Sequence, residues 1–196
     1  MKLGNLIHLR TGLVLNRKQV TTQEEDRIEY TQLTLKCIMP IGLIDRNELE
    51  IFYAKEQLKQ EYFTQIDDVV VRLSYPYTAV LIDDATQGLL VPSHFAIIRC
   101  DGAKLNAGYL QWILNSSNIR NKISRSTSTS GLGTIRTIFF TDLEIDIPTL
   151  REQVLLANLN QLAQREIELM EQLKEQKQKY YTALTNKIQK EMRKRK

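Results

Sequence analysis

The chain has 196 residues, room for one ordinary domain and an appendage, and its 42% hydrophobic and 26% charged residues argue against a disordered or membrane-embedded chain. It holds no run of about 18 apolar residues that would span a bilayer. Its opening, Met1-Lys2-Leu3-Gly4-Asn5, lacks an apolar signal core, so a cytoplasmic protein is expected. The net charge of +4 is unevenly placed: residues 149–196 carry 11 Lys/Arg against 6 Asp/Glu, whereas residues 1–148 carry 16 against 17.

The first 148 residues change period often. Leu33, Leu35, Cys37 and Met39 alternate with Thr34, Lys36 and Ile38 in a strand-like pattern closed by Pro40. A helical patch is expected at Ala54–Glu61. Asp67-Asp68 precede the β-branched run Val69-Val70-Val71, the composition of a buried strand. Thr78–Ile82 reads as a second strand, joined to the first by a turn over Arg72–Tyr77 that Pro76 shapes. Asp83–Gly88 has turn composition, and His94–Arg99 is another strand. Asn106–Asn115 is helical, with Tyr109, Trp112 and Ile113 on one face. Arg120–Thr137 reads as a flexible Ser/Thr-rich loop whose end, Thr134–Phe140, becomes a strand. This mixture predicts a compact, strand-dominated α+β domain over 1–148.

From Thr149 the pattern changes. Thr149 followed by Glu152 forms a capping box after Pro148, and no Pro or Gly follows. Leu155, Leu159, Leu162, Leu169 and Leu173 fall on alternating steps of four and three, with Glu166, Gln176 and Tyr180 in the same seam. Leu184, Ile188 and Met192 continue it in steps of four. A helix to Met192 would be roughly 65 Å long, so its stripe calls for a partner helix. Residues 149–196 are therefore assigned to a long spacer or dimerisation helix.

Several chemistries can be weighed against these residues. Ser74-Tyr75-Pro76-Tyr77 matches three of the four letters of the Asn/Asp/Ser-Pro-Pro-Tyr/Phe/Trp loop of DNA amino-methyltransferases. Such an enzyme also needs a glycine-rich turn between a strand and a helix. The one candidate, Gly131-Leu132-Gly133, follows a hydroxyl-rich stretch and precedes a strand-like one. Only two histidines and two cysteines are present, without Cys-x-x-Cys, so neither a metal site nor a cofactor is expected. By contrast, no acidic residue lies between Asp101 and Asp142, while Lys104, Arg120, Lys122, Arg125 and Arg136 do. A field of one sign beside Ser and Thr hydroxyls suits the phosphates of nucleic acid. A solvated basic loop has the same composition.

The order of several stretches resembles the specificity subunits of Type I restriction-modification systems. They are Lys2–Ile7 with Thr11-Gly12, Gln65–Arg72 with Asp67 where the family usually has Gly, and Gly88–Arg99. Tyr109–Ser116 follows, then a Ser130-Gly131 turn and the join Leu143, Ile145, Ile147, Pro148 and Gln153 into the long helix. The resemblance spans essentially the whole chain. It implies a half subunit with one target recognition domain and one spacer helix forming an antiparallel coiled coil with a partner. It implies double-stranded DNA and DNA adenine methyltransferase subunits as partners, with a restriction/translocase subunit where cleavage accompanies methylation. Pairing is expected as a homodimer or with a second half subunit, through Leu155, Leu159, Leu162, Leu169, Leu173, Tyr180, Leu184 and Ile188. Charge and loop context nominate Arg17, Lys18, Arg72, Arg120, Lys122, Arg125, Ser128, Ser130, Thr134 and Arg136 for DNA contact. Two rival readings stay open: a coiled-coil scaffold or regulator whose front domain binds protein, and a small DNA amino-methyltransferase using Ser74–Tyr77.

Overall fold

The computed structural model describes residues 1–20, 27–130 and 133–194, with the side chains of 128–130 outside that description. The chain divides into two units, Met1–Asn158 and Leu159–Lys196. At the centre of the first lies a four-stranded antiparallel sheet of β1 (Ile7–Thr11), β4 (Asp68–Arg72), β5 (Ala79–Leu81) and β6 (Phe95–Cys100), in the order β1-β6-β4-β5. The two remaining strands, β2 (Ile28–Gln32) and β3 (Glu50–Ala54), pair antiparallel in a small second sheet.

Both faces of the central sheet are covered, which explains the unbroken valine run. Val69 and Val71 point into one core with Ala96, Ile98, Leu110, Ile123 and Phe140, whereas Val70 points into another with Val80, Ile82, Phe95 and Ile97. Each such side chain contributes about 1.5–3 kcal/mol on burial. The first core is closed by α1 (Ala107–Asn115), α2 (Ser117–Ser130) and the short α3 (Ile138–Asp142). At the edge strand β5, the Asn115 side-chain amide acts as a substitute strand. Its Oδ1 accepts from Ala79 N at 3.0 Å and its Nδ2 donates to Ala79 O at 2.8 Å. The edge is thereby satisfied and closed to further pairing at that point.

Asp68 opens β4 as a buried carboxylate beside the Arg99 guanidinium. Its side chain, 2% exposed, accepts from Arg99 Nε at 2.8 Å, Arg99 Nη2 at 3.3 Å and Gln65 N at 2.8 Å. Asp67, just before it, has φ 65°, a left-handed conformation that Asp tolerates and Gly adopts freely. Gly12 has a different reason for its smallness: a Cβ there would stand 2.2 Å from Pro92 O.

Four local expectations are corrected by tertiary context. Leu33–Met39 is no strand; the Thr34 hydroxyl accepts from Cys37 N at 3.1 Å and turns the chain locally. Ala54–Glu61 is not a helix. Lys55 N instead bonds Lys18 O at 3.2 Å, continuing the extended run, and only Gln60–Tyr62 forms a 3-10 turn. The hydroxyl-rich segment is helical as α2, because Ile119, Ile123 and Thr127, spaced by four, are buried against α1 and the sheet. Packing there outweighs the weak helix propensity of Ser and Thr. Thr134–Phe140 is not a strand either: Thr134 makes one bridge to Ser74, and α3 begins at Ile138.

Helix α4 (Leu150–Lys194) starts at the expected box. Thr149 N donates to Glu152 Oε2 at 2.9 Å and Glu152 N donates to Thr149 Oγ1 at 3.4 Å. The Thr149 hydroxyl and N–H together hold the Glu152 carboxyl below the usual carboxylate range. Within the first unit, fully buried Gln153 ties this start to the domain. It accepts from Asn106 N at 2.8 Å and donates to Lys104 O at 3.1 Å and Pro148 O at 2.9 Å. Replacing Gln153 by Ala should lower unfolding stability by about 2 kcal/mol, measured by urea titration, because three backbone groups lose their partner. In the second unit Leu159, Leu162, Leu169, Leu173, Tyr180, Leu184 and Ile188 are all exposed, as is Leu155 in the first.

Free Cys37 is buried, and the Cys100 thiol, half-buried near Asp67 and Asp68, is pushed up to about 12 by burial and those carboxylates. Among the described residues no group of His, Cys, Asp and Glu could hold a metal, and no helix is long and apolar enough to cross a membrane.

Candidate nucleic-acid interface

Part of the nominated set converges on one side of the first unit. Strands β4 and β5 are joined by the turn Leu73–Thr78, closed by Tyr77 N donating to Ser74 O at 2.8 Å. Ser74 bridges antiparallel to Thr134, and Ile135 N donates to Leu73 O at 2.8 Å. Ile135 is buried, so the flanking Thr134 and Arg136 are left on the surface.

The turn is fastened to α2 by Tyr77. Its ring is 7% exposed, and its hydroxyl lies 3.2 Å from Thr127 Oγ1 and donates to Gly133 O at 3.3 Å. Tyr77 has φ 57°, a conformation costly for a bulky residue and kept here by the buried ring. The residues that organise this surface are thus Tyr77, Thr127 and Ser74. Only Tyr77 and Ser74 had any signal in the sequence, as letters of the amino-methyltransferase-like tetrapeptide.

Lys122 and Ser126 of α2 line a cleft of about 610 Å³ together with Thr134 and Arg136, the apolar Ile138 and Phe139, and the acidic Asp142 and Glu144. The Asp142 carboxylate pairs with Lys2 at 3.5 Å. Arg125, exposed, lies on the same helix. Hydroxyls and cations around an open cleft can hold phosphate oxygens, and guanidinium groups can also read base edges.

The other nominated residues sit differently. Arg72 is committed to the fold, its Nε donating to Ser74 Oγ at 3.1 Å and its Nη1 to Leu35 O at 3.1 Å. Arg120 donates to Asn115 Oδ1 at 3.2 Å and Pro40 O at 3.5 Å, holding the 33–49 segment against α2. Lys18 is ion-paired with Glu56 beside β3, and Arg17 is exposed on the adjoining 3-10 turn. The side chains of Ser128 and Ser130, and the Ser130-Gly131 turn, lie outside the described residues.

No family model and no curated protein matches the chain. Solved structures do. One chain from a study of complex assembly and conformational transition in the type I R-M system superposes with a TM-score of 0.64 at 15% identity over 86% of this chain. The HsdS subunit from Thermoanaerobacter tengcongensis superposes with a TM-score of 0.55 at 13% identity over 88%. The chain has an HsdS-like fold. The HsdS-like chain spans less than half of each match, 43% of the first and 38% of the second. In this HsdS-like frame, the strand-rich domain followed by one long helix matches the architecture expected from the sequence. The turn over Arg72–Tyr77, expected between two strands, is present between β4 and β5.

Proposed function

We propose that this chain is a non-catalytic DNA-recognition subunit. Residues 1–148 form the target recognition domain, and residues 149–196 are the spacer helix that pairs antiparallel with a second copy or another half subunit. In this reading it directs DNA adenine methyltransferase subunits, and a restriction/translocase subunit where cleavage accompanies methylation, to a bipartite site. Two identical halves would read a two-fold symmetric, interrupted sequence.

The observation that carries the reading is the cleft edged by Lys122, Ser126, Thr134 and Arg136 on an HsdS-like fold. The exposed apolar seam of α4 supports pairing, since a helix stripe of this length is stable only when covered. Ser74–Tyr77 is a β-turn with Tyr77 buried on an antiparallel sheet, so its likeness to a catalytic loop is one of letters.

The deciding experiment titrates the full chain against random-sequence duplex DNA at several salt concentrations. Binding should weaken linearly in log–log form as salt rises, by about 0.9 per phosphate contact. A scaffold that binds only protein would show no salt-dependent affinity, and an enzyme would bind S-adenosylmethionine as the isolated chain.

A further inference from the structure

At 78% exposure, Tyr75 is the most exposed large apolar side chain among the described residues of the first unit. Its exposure is not that of a slack loop. On one side, Ser74 is held by the bridge to Thr134 and by the Arg72 guanidinium. On the other, Tyr77 is buried and hydrogen-bonded to Thr127 and Gly133, and the two tyrosine rings meet edge to face at 6.2 Å. The turn thus presents one aromatic ring to solvent from a support fixed on both sides. A tyrosine adds large contact area at low entropic cost, and fixing it beforehand removes most of that cost.

The surroundings indicate what the ring meets. Thr134, paired with Ser74, and Arg136 beyond it edge the same cleft as Lys122. In the grooves of B-DNA apolar side chains can touch base edges, and cations beside them meet phosphates.

We propose that Tyr75 is a base-contacting, specificity-determining residue: the β4–β5 turn enters a DNA groove and sets the ring against base edges, while Lys122 and Arg136 hold the backbone. This rests on the DNA-recognition reading above and adds to it a residue that charge alone does not nominate.

The test first enriches a duplex from a randomised pool on the full wild-type chain, then compares Tyr75→Ala and Tyr75→Phe on that duplex and on the unselected pool. Tyr75→Ala should bind the enriched duplex about tenfold more weakly. Its affinity for the pool, its salt slope and its melting temperature should stay at wild-type values, and Tyr75→Phe should retain most of the preference. Unchanged preference in Tyr75→Ala would overturn this inference alone. An equal loss on both DNAs would also overturn it, since the ring would then be acting without regard to sequence. Failure of the wild type to bind any duplex would bring down the DNA reading itself, and this inference with it.

Discussion

Replacing Asp68 by Ala should destabilise the first unit by about 3 kcal/mol, enough to lower its melting temperature by several degrees. The carboxylate is 2% exposed and accepts from both Arg99 Nε and Nη2 and from Gln65 N, while a third of the Arg99 side chain stays in solvent. Deleting the anion leaves the Gln65 backbone N–H without its acceptor and a guanidinium without its counter-charge, keeping only Phe63 O at 3.3 Å. Because one partner is partly solvated, the cost falls at the lower end of the range for broken buried pairs. The isosteric Asp68→Asn change keeps a carbonyl for Gln65 N and should cost roughly half as much. Equilibrium denaturation of the three proteins checks this, and equal stability would show that the pair contributes nothing net.

The second large effect concerns binding. The double substitution Arg125→Ala, Arg136→Ala should weaken duplex affinity about thirtyfold at physiological salt, near 2 kcal/mol, and reduce the salt slope by up to about 2. Both residues are exposed, so the fold should persist. The same loss in Arg72→Ala or Arg120→Ala would be harder to interpret. Those guanidiniums bond Ser74 and Leu35, and Asn115 and Pro40, respectively, and their removal disturbs the turn and the 33–49 segment. Fluorescence anisotropy with a melting curve for each variant separates the two cases. Unchanged affinity in the double variant would remove the α2 cleft from the interface.

How far the site was legible depended on which residues carried it. Lys122, Thr134 and Arg136 stood out by charge and composition, and the structure sets them around one cleft. Arg72 and Arg120 had the same signal, yet their hydrogen bonds serve the fold. Charge in a sequence does not say which carbonyl a guanidinium will find. Tyr75 and Tyr77 are alike as letters, but one is 78% exposed and the other 7%. Only the closure of the turn onto α2 separates them.

The sequence by itself determined the features set by neighbours along the chain. These include the Val69–Val71 strand, the turn at Pro76, the α1 helix, the capping box at Thr149 and Glu152, and the apolar stripe along α4. Each depends on periodicity or on bonds spanning three or four residues. Tertiary structure alone decided that the hydroxyl-rich run is helix, that Thr134 pairs with Ser74, and that Gln153 binds the 104–106 and 148 backbone. There the deciding partners are distant in sequence, and burial of Ile119, Ile123 and Thr127 outweighs what their neighbours prefer locally.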